Sequence, residues 1–264
     1  MKQLFSGQMM VSLCVIVMIG STTVVHADEA GQDWLRKIDA AETVPFSIST
    51  MTQTITTSTG SERRFTFKSF SADSGDVSLM AYTDPQRIAG DKILMRDGGD
   101  RIWYYMKRRD VTKYFARHTQ NQSMMGSDFS YEDLAQGDLE EDYNATVIAE
   151  KMEMSFDDDS GEPVVKLELI PTETGPSYAK VILYASISDH ISRMIEYYDE
   201  DGHEKTLYLL DIKTVDGVKS AHTMRMDNVR EGSSTSMTVI DISYKNEPDP
   251  NLFTKAALSR TLTD

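Results

Sequence analysis

The sequence predicts a mainly β protein, a meandering antiparallel sheet curled into a barrel or sandwich behind a single N-terminal helix. Three observations carry this. Short segments of β-branched and aromatic residues recur along most of the chain. The separators hold turn chemistry, as in Asp159-Ser160-Gly161, Asp201-Gly202, Asp216-Gly217 and Glu231-Gly232. Helical periodicity is confined to one stretch near the start. At 264 residues the chain fits one all-β domain, and 28–264 is expected to be a single unit.

Residues 1–27 read as a secretory leader. Lys2 supplies the basic start, Met9 to Ile19 is apolar apart from Ser12, and Val25-His26-Ala27 places small residues before a cut after Ala27. The apolar run is shorter than the ~20 residues a spanning helix needs. Cys14, the one cysteine, lies inside this leader, so the mature chain is expected to lack thiols and disulfides. Leu13 before it disfavours lipidation. Loss of Lys2 takes the formal charge from −15 to −16, a balance that repels phosphate backbones and argues against nucleic acid as a partner.

From Asp28 to Glu42, Ala30, Trp34, Leu35, Ile38 and Ala41 share one helical face, opposite Arg36, Lys37 and Asp39. Pro45 ends this helix. Phe46 to Thr57 and Arg64 to Ser71 follow as paired strands around Ser58-Thr59-Gly60-Ser61, with Phe65 and Phe67 on one face. In the next strand Val77, Leu79 and Ala81 alternate with Ser78, Met80 and Tyr82, a pattern that allows burial on both faces. Lys92 to Arg96 and Arg101 to Met106 flank Asp97-Gly98-Gly99-Asp100, whose glycines suit a tight hairpin. Lys107-Arg108-Arg109 then turns the chain into Val111 to Tyr114.

The stretch from Tyr114 to Leu134 interrupts the series of strands. It joins Met124-Met125 to Phe129 and Tyr131 through Gly126-Ser127-Asp128, and a loop so long and apolar needs a partner to bury it. Met124, Met125, Phe129, Tyr131 and Leu134 are therefore candidates to line or lid an apolar cavity and to move when it fills, with Phe65, Phe67, Leu79, Trp103 and Tyr105 as further lining. Ser130 or Asp128 can cap a helical turn at Tyr131 to Leu134. Strands resume at Ala145 to Phe156 and continue through Val164 to Pro171, Ala179 to Ala185, Met194 to Asp199, Lys205 to Thr214, Ala221 to Asp227 and Ser236 to Tyr244. Pro248 to Leu258 reads as an extended tail closed by a short helix.

Patterns for catalysis are missing. There is no glycine-flanked serine of the nucleophile-elbow type, and His118, His190, His203 and His222 lack the spacing of paired metal ligands. Asp157-Asp158-Asp159 with Glu162 resembles a calcium loop poorly, because Glu162 stands where that loop needs glycine. No cofactor, metal or enzymatic activity is expected. The 16 methionines are the compositional feature that remains, twelve of them beyond the leader, and their unbranched thioethers suit an adaptable apolar surface. Lys107, Arg108 and Arg109, three adjacent cations in an acidic chain, are candidates for contact with an acidic partner.

The runs Gly90 to Leu94, Ile102 to Tyr105, Ser123 to Leu134, Glu196 to Gly202 and Phe253-Thr254 resemble those of the bacterial outer-membrane lipoprotein-sorting proteins, related to the LolA and LolB carriers. The resemblance covers nearly all of the mature chain, and Gly126 to Leu134 is its most specific part. It implies a half-open antiparallel β-barrel (LolA-like) with an N-terminal helix and short capping helices, whose apolar cavity holds acyl chains of a lipid or lipoprotein in the periplasm; a monomer is expected. It also implies an inner-membrane exporter as partner. The alternative is a non-catalytic domain of the same shape that senses envelope stress or serves as structure.

Overall fold

The computed structural model describes residues 28–116, 119–135, 137–156 and 161–262. The leader, His118 and the Asp157-Asp158-Asp159 run lie outside them.

The amphipathic stretch forms α1 (Glu29–Glu42), capped by the Asp28 carboxylate and burying Leu35 and Ile38. Gly31 lets the helix approach the sheet, since a Cβ there would stand 2.3 Å from the Ala145 carbonyl oxygen. The first run of strands is β1 (Ser47–Thr56), β2 (Glu62–Ala72), β3 (Val77–Asp84), β4 (Lys92–Arg96), β5 (Arg101–Met106) and β6 (Val111–Phe115). After the central loop and the short α2 (Leu139–Asp142) come β7 (Tyr143–Met154), β8 (Glu162–Pro171), β9 (Lys180–Ser186) and β10 (Ser192–Asp199). The second run ends with β11 (Gly202–Val215), β12 (Val218–Asn228) and β13 (Ser233–Ser243).

All pair antiparallel in one 13-stranded sheet of order β6-β5-β4-β3-β2-β1-β13-β12-β11-β10-β9-β8-β7. Two meanders thus meet where β1 lies beside β13, and β6 and β7 are free edges, so the barrel is open. Bulges in β13 and β7 add local bend and twist to the sheet.

The hairpin at Asp97 to Asp100 forms as expected, with positive φ at Asp97, Gly98 and Gly99. The concave face carries the main core, from Met51, Phe67 and Tyr82 on one wing to Leu167, Leu183 and Leu207 on the other, and α1 adds Leu35 and Ile38.

The convex face of β2 to β5 has its own apolar cluster. Leu79, Leu94 and Tyr105 are buried there under Phe253 and Leu258 of the tail, with Trp103 packed at the side. Lys92 holds the tail through the carbonyl oxygens of Ala257 (3.3 Å) and Arg260. The double-sided burial read from the third strand is therefore present. Its corollary corrects the lining set: Leu79, Trp103 and Tyr105 face away from the cavity. On β3 and β5 they alternate with Met80, Ile93's partner Tyr104, and Ile102, which take the concave side.

Candidate functional site

Residues 119–135, between β6 and β7, fold into the concavity as a plug. Met124, Phe129 and Tyr131 are 0%, 1% and 3% exposed, and Phe65 is buried in the same core, with Met125 packed against it. The Met124 amide donates to the Phe129 carbonyl at 2.8 Å, closing a tight loop in which Met125 and Gly126 have φ of +56° and +73°. A turn at Glu132 to Leu134 follows, where the Asp133 amide donates to the Ser130 hydroxyl and the Ser130 amide to the Asp133 carboxylate. Ser130, one of the two expected caps, takes that role.

Four attachments fix the plug to three strands and to the hairpin between β4 and β5. Gln120 donates to the carbonyl of Gly99 at 3.0 Å, and Arg63 of β2 to the carbonyl of Gly126 at 2.7 Å. The Asp128 carboxylate accepts the hydroxyls of Ser233 and Thr235 on β13. Asp133 accepts Lys205 Nζ of β11 at 2.6 Å and the Tyr178 hydroxyl at 2.5 Å, in a pair with side chains 0% and 4% exposed. Lys205 Nζ also lies 5.3 Å and 5.6 Å from the ring centres of Tyr178 and Tyr197. The plug is thus part of the packed interior as well as its cover.

Beside it runs a groove of about 340 Å³ on the concave face. Met51, Met80, Met95, Met224 and Met237 line it together with Phe67, Leu134, Leu209 and Val239. The register grades it from polar to apolar. Ser78, Ser71 and Ser47 stand side by side on β3, β2 and β1; the next row is Met80, Ser69 and Ser49, and the next is Tyr82, Phe67 and Met51. The Ser71 hydroxyl is buried without a hydrogen-bond partner. Gln53, further along β1 and 0% exposed, has neither amide atom partnered.

Glu42, Asp133 and Ala135 border both this groove and an adjoining recess of about 310 Å³. Enclosure by protein pushes the Glu42 carboxyl up, against the lowering effect of the Ser192 amide that it accepts at 2.6 Å. Desolvation pushes Asp39 up to about 6, although the amides of Leu139 and Glu140 bond it. Among the described residues no His, Cys, Asp and Glu stand together in a metal-holding group, and no helix is long and apolar enough to cross a membrane.

Of the expected lining residues, Phe67 and Leu134 border the groove directly, while Met124, Met125, Phe129, Tyr131 and Phe65 form the layer of core behind it. Lys107, Arg108 and Arg109 form an exposed turn that leads into the free edge β6. The serine rows, Glu42 and the methionines from β1, β3, β4, β12 and β13 went unrecognised individually. Ser47-x-Ser49 and Ser69-x-Ser71 repeat at the strand period and could have marked a polar inward face.

A family model described as "Uncharacterized protein" matches residues 74–260. A candidate outer membrane lipoprotein-sorting protein domain from Vibrio parahaemolyticus is 26% identical with a TM-score of 0.79, over 88% of this chain and 99% of that one. A DUF1329 family protein from Desulfovibrio piger is 22% identical with a TM-score of 0.80, over 88% and 99%. A LolA superfamily protein from Nitrosomonas europaea is 20% identical with a TM-score of 0.68, over 86% and 98%. No curated protein matches the sequence.

Proposed function

The chain belongs to the uncharacterized DUF1329 family and has the LolA-like fold of outer-membrane lipoprotein-sorting domains, and from that premise we propose a non-catalytic, monomeric periplasmic carrier. It takes an acyl chain of a lipid or lipoprotein into the groove and moves it towards the outer membrane, working with an inner-membrane exporter. The observation that carries this reading is the grading of one concave surface from serine rows to methionines, the polarity profile of an amphiphile.

Each methylene taken from water contributes ~0.8 kcal/mol, so a chain burying about eight of them gains roughly 6 kcal/mol without any catalytic group. Methionine side chains adapt to chains of different shape. Phe67 and Leu134 touch the chain in this reading, and Met124, Met125 and Phe129 form the wall that yields to longer ones.

Met224→Asp tests the groove, because Met224 lines it and is only half-buried, so that the fold tolerates the change. Affinity for a fluorescent fatty-acyl probe is expected to fall at least tenfold, with the thermal midpoint nearly unchanged. Wild-type affinity in this variant would remove the groove from the reading. Mass spectrometry of organic extracts from protein purified out of the periplasm identifies the cargo.

The Lys107-Arg108-Arg109 turn is the proposed contact for an acidic partner. Replacing all three with serine should slow cargo delivery several-fold in a reconstituted transfer assay while probe affinity stays constant. Unchanged delivery would make the turn an ordinary solvated corner.

A further inference from the structure

We infer that the groove selects amphiphiles whose head is cationic, and disfavours anionic ones such as phosphate- or carboxylate-headed lipids. The inference rests on the carrier reading and specifies its cargo.

The serine rows fix which end of an amphiphile lies where. The apolar tail lies among Met51, Phe67 and Met80, and the head lies at Ser47 and Ser71, where the chain is four residues from Thr43 and two from Asp73. Thr43, Asp73 and Ser74 border the next recess, so the head faces that space. Among the described residues, every charged side chain lining this recess and the one that joins it to the groove is a carboxylate. They come from five separate places in the chain: α1, the turn after β2, the hairpin after β4, the turn at Glu132 to Leu134, and α2 with Asp138 before it.

Of the described basic side chains near the region, Arg96 stands close enough to Asp97 to lower its carboxyl, and three others are bonded to carboxylates. Lys205 is held by Asp133 and Lys219 by Asp189 at 2.7 Å, while Arg101 is held by Asp97. A concave surface of one sign between low-dielectric walls concentrates its potential on whatever enters. The carboxylates alone would make only an acidic surface. The second observation is Ser71, which lines the groove at the head position, is 7% exposed, and leaves its hydroxyl without a partner. Burial of an unpaired hydroxyl is unfavourable unless a ligand group completes its hydrogen bond. A protonated amine donates hydrogen bonds to both hydroxyl and carboxylate oxygens, whereas a phosphate or carboxylate is repelled by the rim.

The test is displacement of the fluorescent acyl probe by four amphiphiles of equal chain length, each below its micellar concentration: dodecylamine, dodecyl maltoside, dodecanoate and dodecyl phosphate. Dodecylamine is expected to bind at least tenfold tighter than dodecyl phosphate at low salt. The ratio should shrink in 0.5 M salt, where screening acts within a few ångströms. Asp76→Asn with Glu141→Gln removes two exposed rim charges, and should reduce the amine preference at least threefold while leaving dodecyl maltoside unaffected.

Anionic heads binding as tightly as the amine would overturn the inference and leave the carrier reading standing. Failure of all four amphiphiles and of the probe would end both. A chainless decalysine peptide that matches dodecylamine would also overturn the inference, because the recess would then serve a basic protein segment.

Discussion

Replacing Lys205 with methionine is expected to lower the unfolding free energy by about 3–5 kcal/mol, the range for leaving one member of a buried ion pair alone. Asp133 makes this site demanding. Its carboxylate is fully enclosed and accepts the Ser130 amide, the Tyr178 hydroxyl and Lys205 Nζ, so loss of the lysine leaves a charge that water cannot reach. The plug loses its bond to β11 at the same moment. Urea unfolding followed by tryptophan fluorescence measures the change. The double variant with Asp133→Leu should be less destabilised than the sum of the two single variants, because removing both partners leaves no orphaned charge. A single-variant loss below about 1 kcal/mol would mean that the plug is not anchored here.

Aspartate at both Met124 and Met125 should be at least as damaging. Met124 is 0% exposed, and its sulfur lies 4.0 Å from the Tyr82 hydroxyl within an otherwise apolar surround. A carboxylate placed there is desolvated without a cation, a change expected to exceed about 4 kcal/mol. Leu79→Ala is the matched control, since Leu79 is as well buried but on the convex face. It should cost about 2–5 kcal/mol and leave acyl-probe affinity intact under conditions where the variant is folded. The aspartate variant should lose stability and affinity together. If it folds well and binds the probe as wild type does, the plug is no wall of the groove.

The strands were legible because their alternation and turn residues are local properties. The boundaries of β2, β8 and β12 moved by a few residues, as ladder ends depend on the partner strand. Faces were less legible. Leu79, Trp103 and Tyr105 are as apolar as Phe65 and Phe67, and which side of a doubly covered strand meets the cavity depends on where Phe253 and Leu258 return, far along the chain. The plug stood out by its length and its apolar clusters, yet its anchors did not, because Asp133 and Lys205 become partners only when β11 arrives. The same limit hid the groove. Its methionines come from β1, β3, β4, β12 and β13, and no linear pattern unites them.

The meeting of β1 with β13 has a consequence for the order of assembly. The two meanders are built from hairpin contacts between neighbours in sequence, so each can begin to zip as soon as its own strands exist. The seam cannot: Ile48 waits for Ser243 and Thr56 for Ser234, and closing that long loop is an entropic cost met late. Until then β1 and β13 are unpaired edges in the middle of an unfinished sheet, open to strands of other chains. The slow step and the aggregation hazard therefore share one address, and the last ladder to close is also the one on which the floor of the groove is laid.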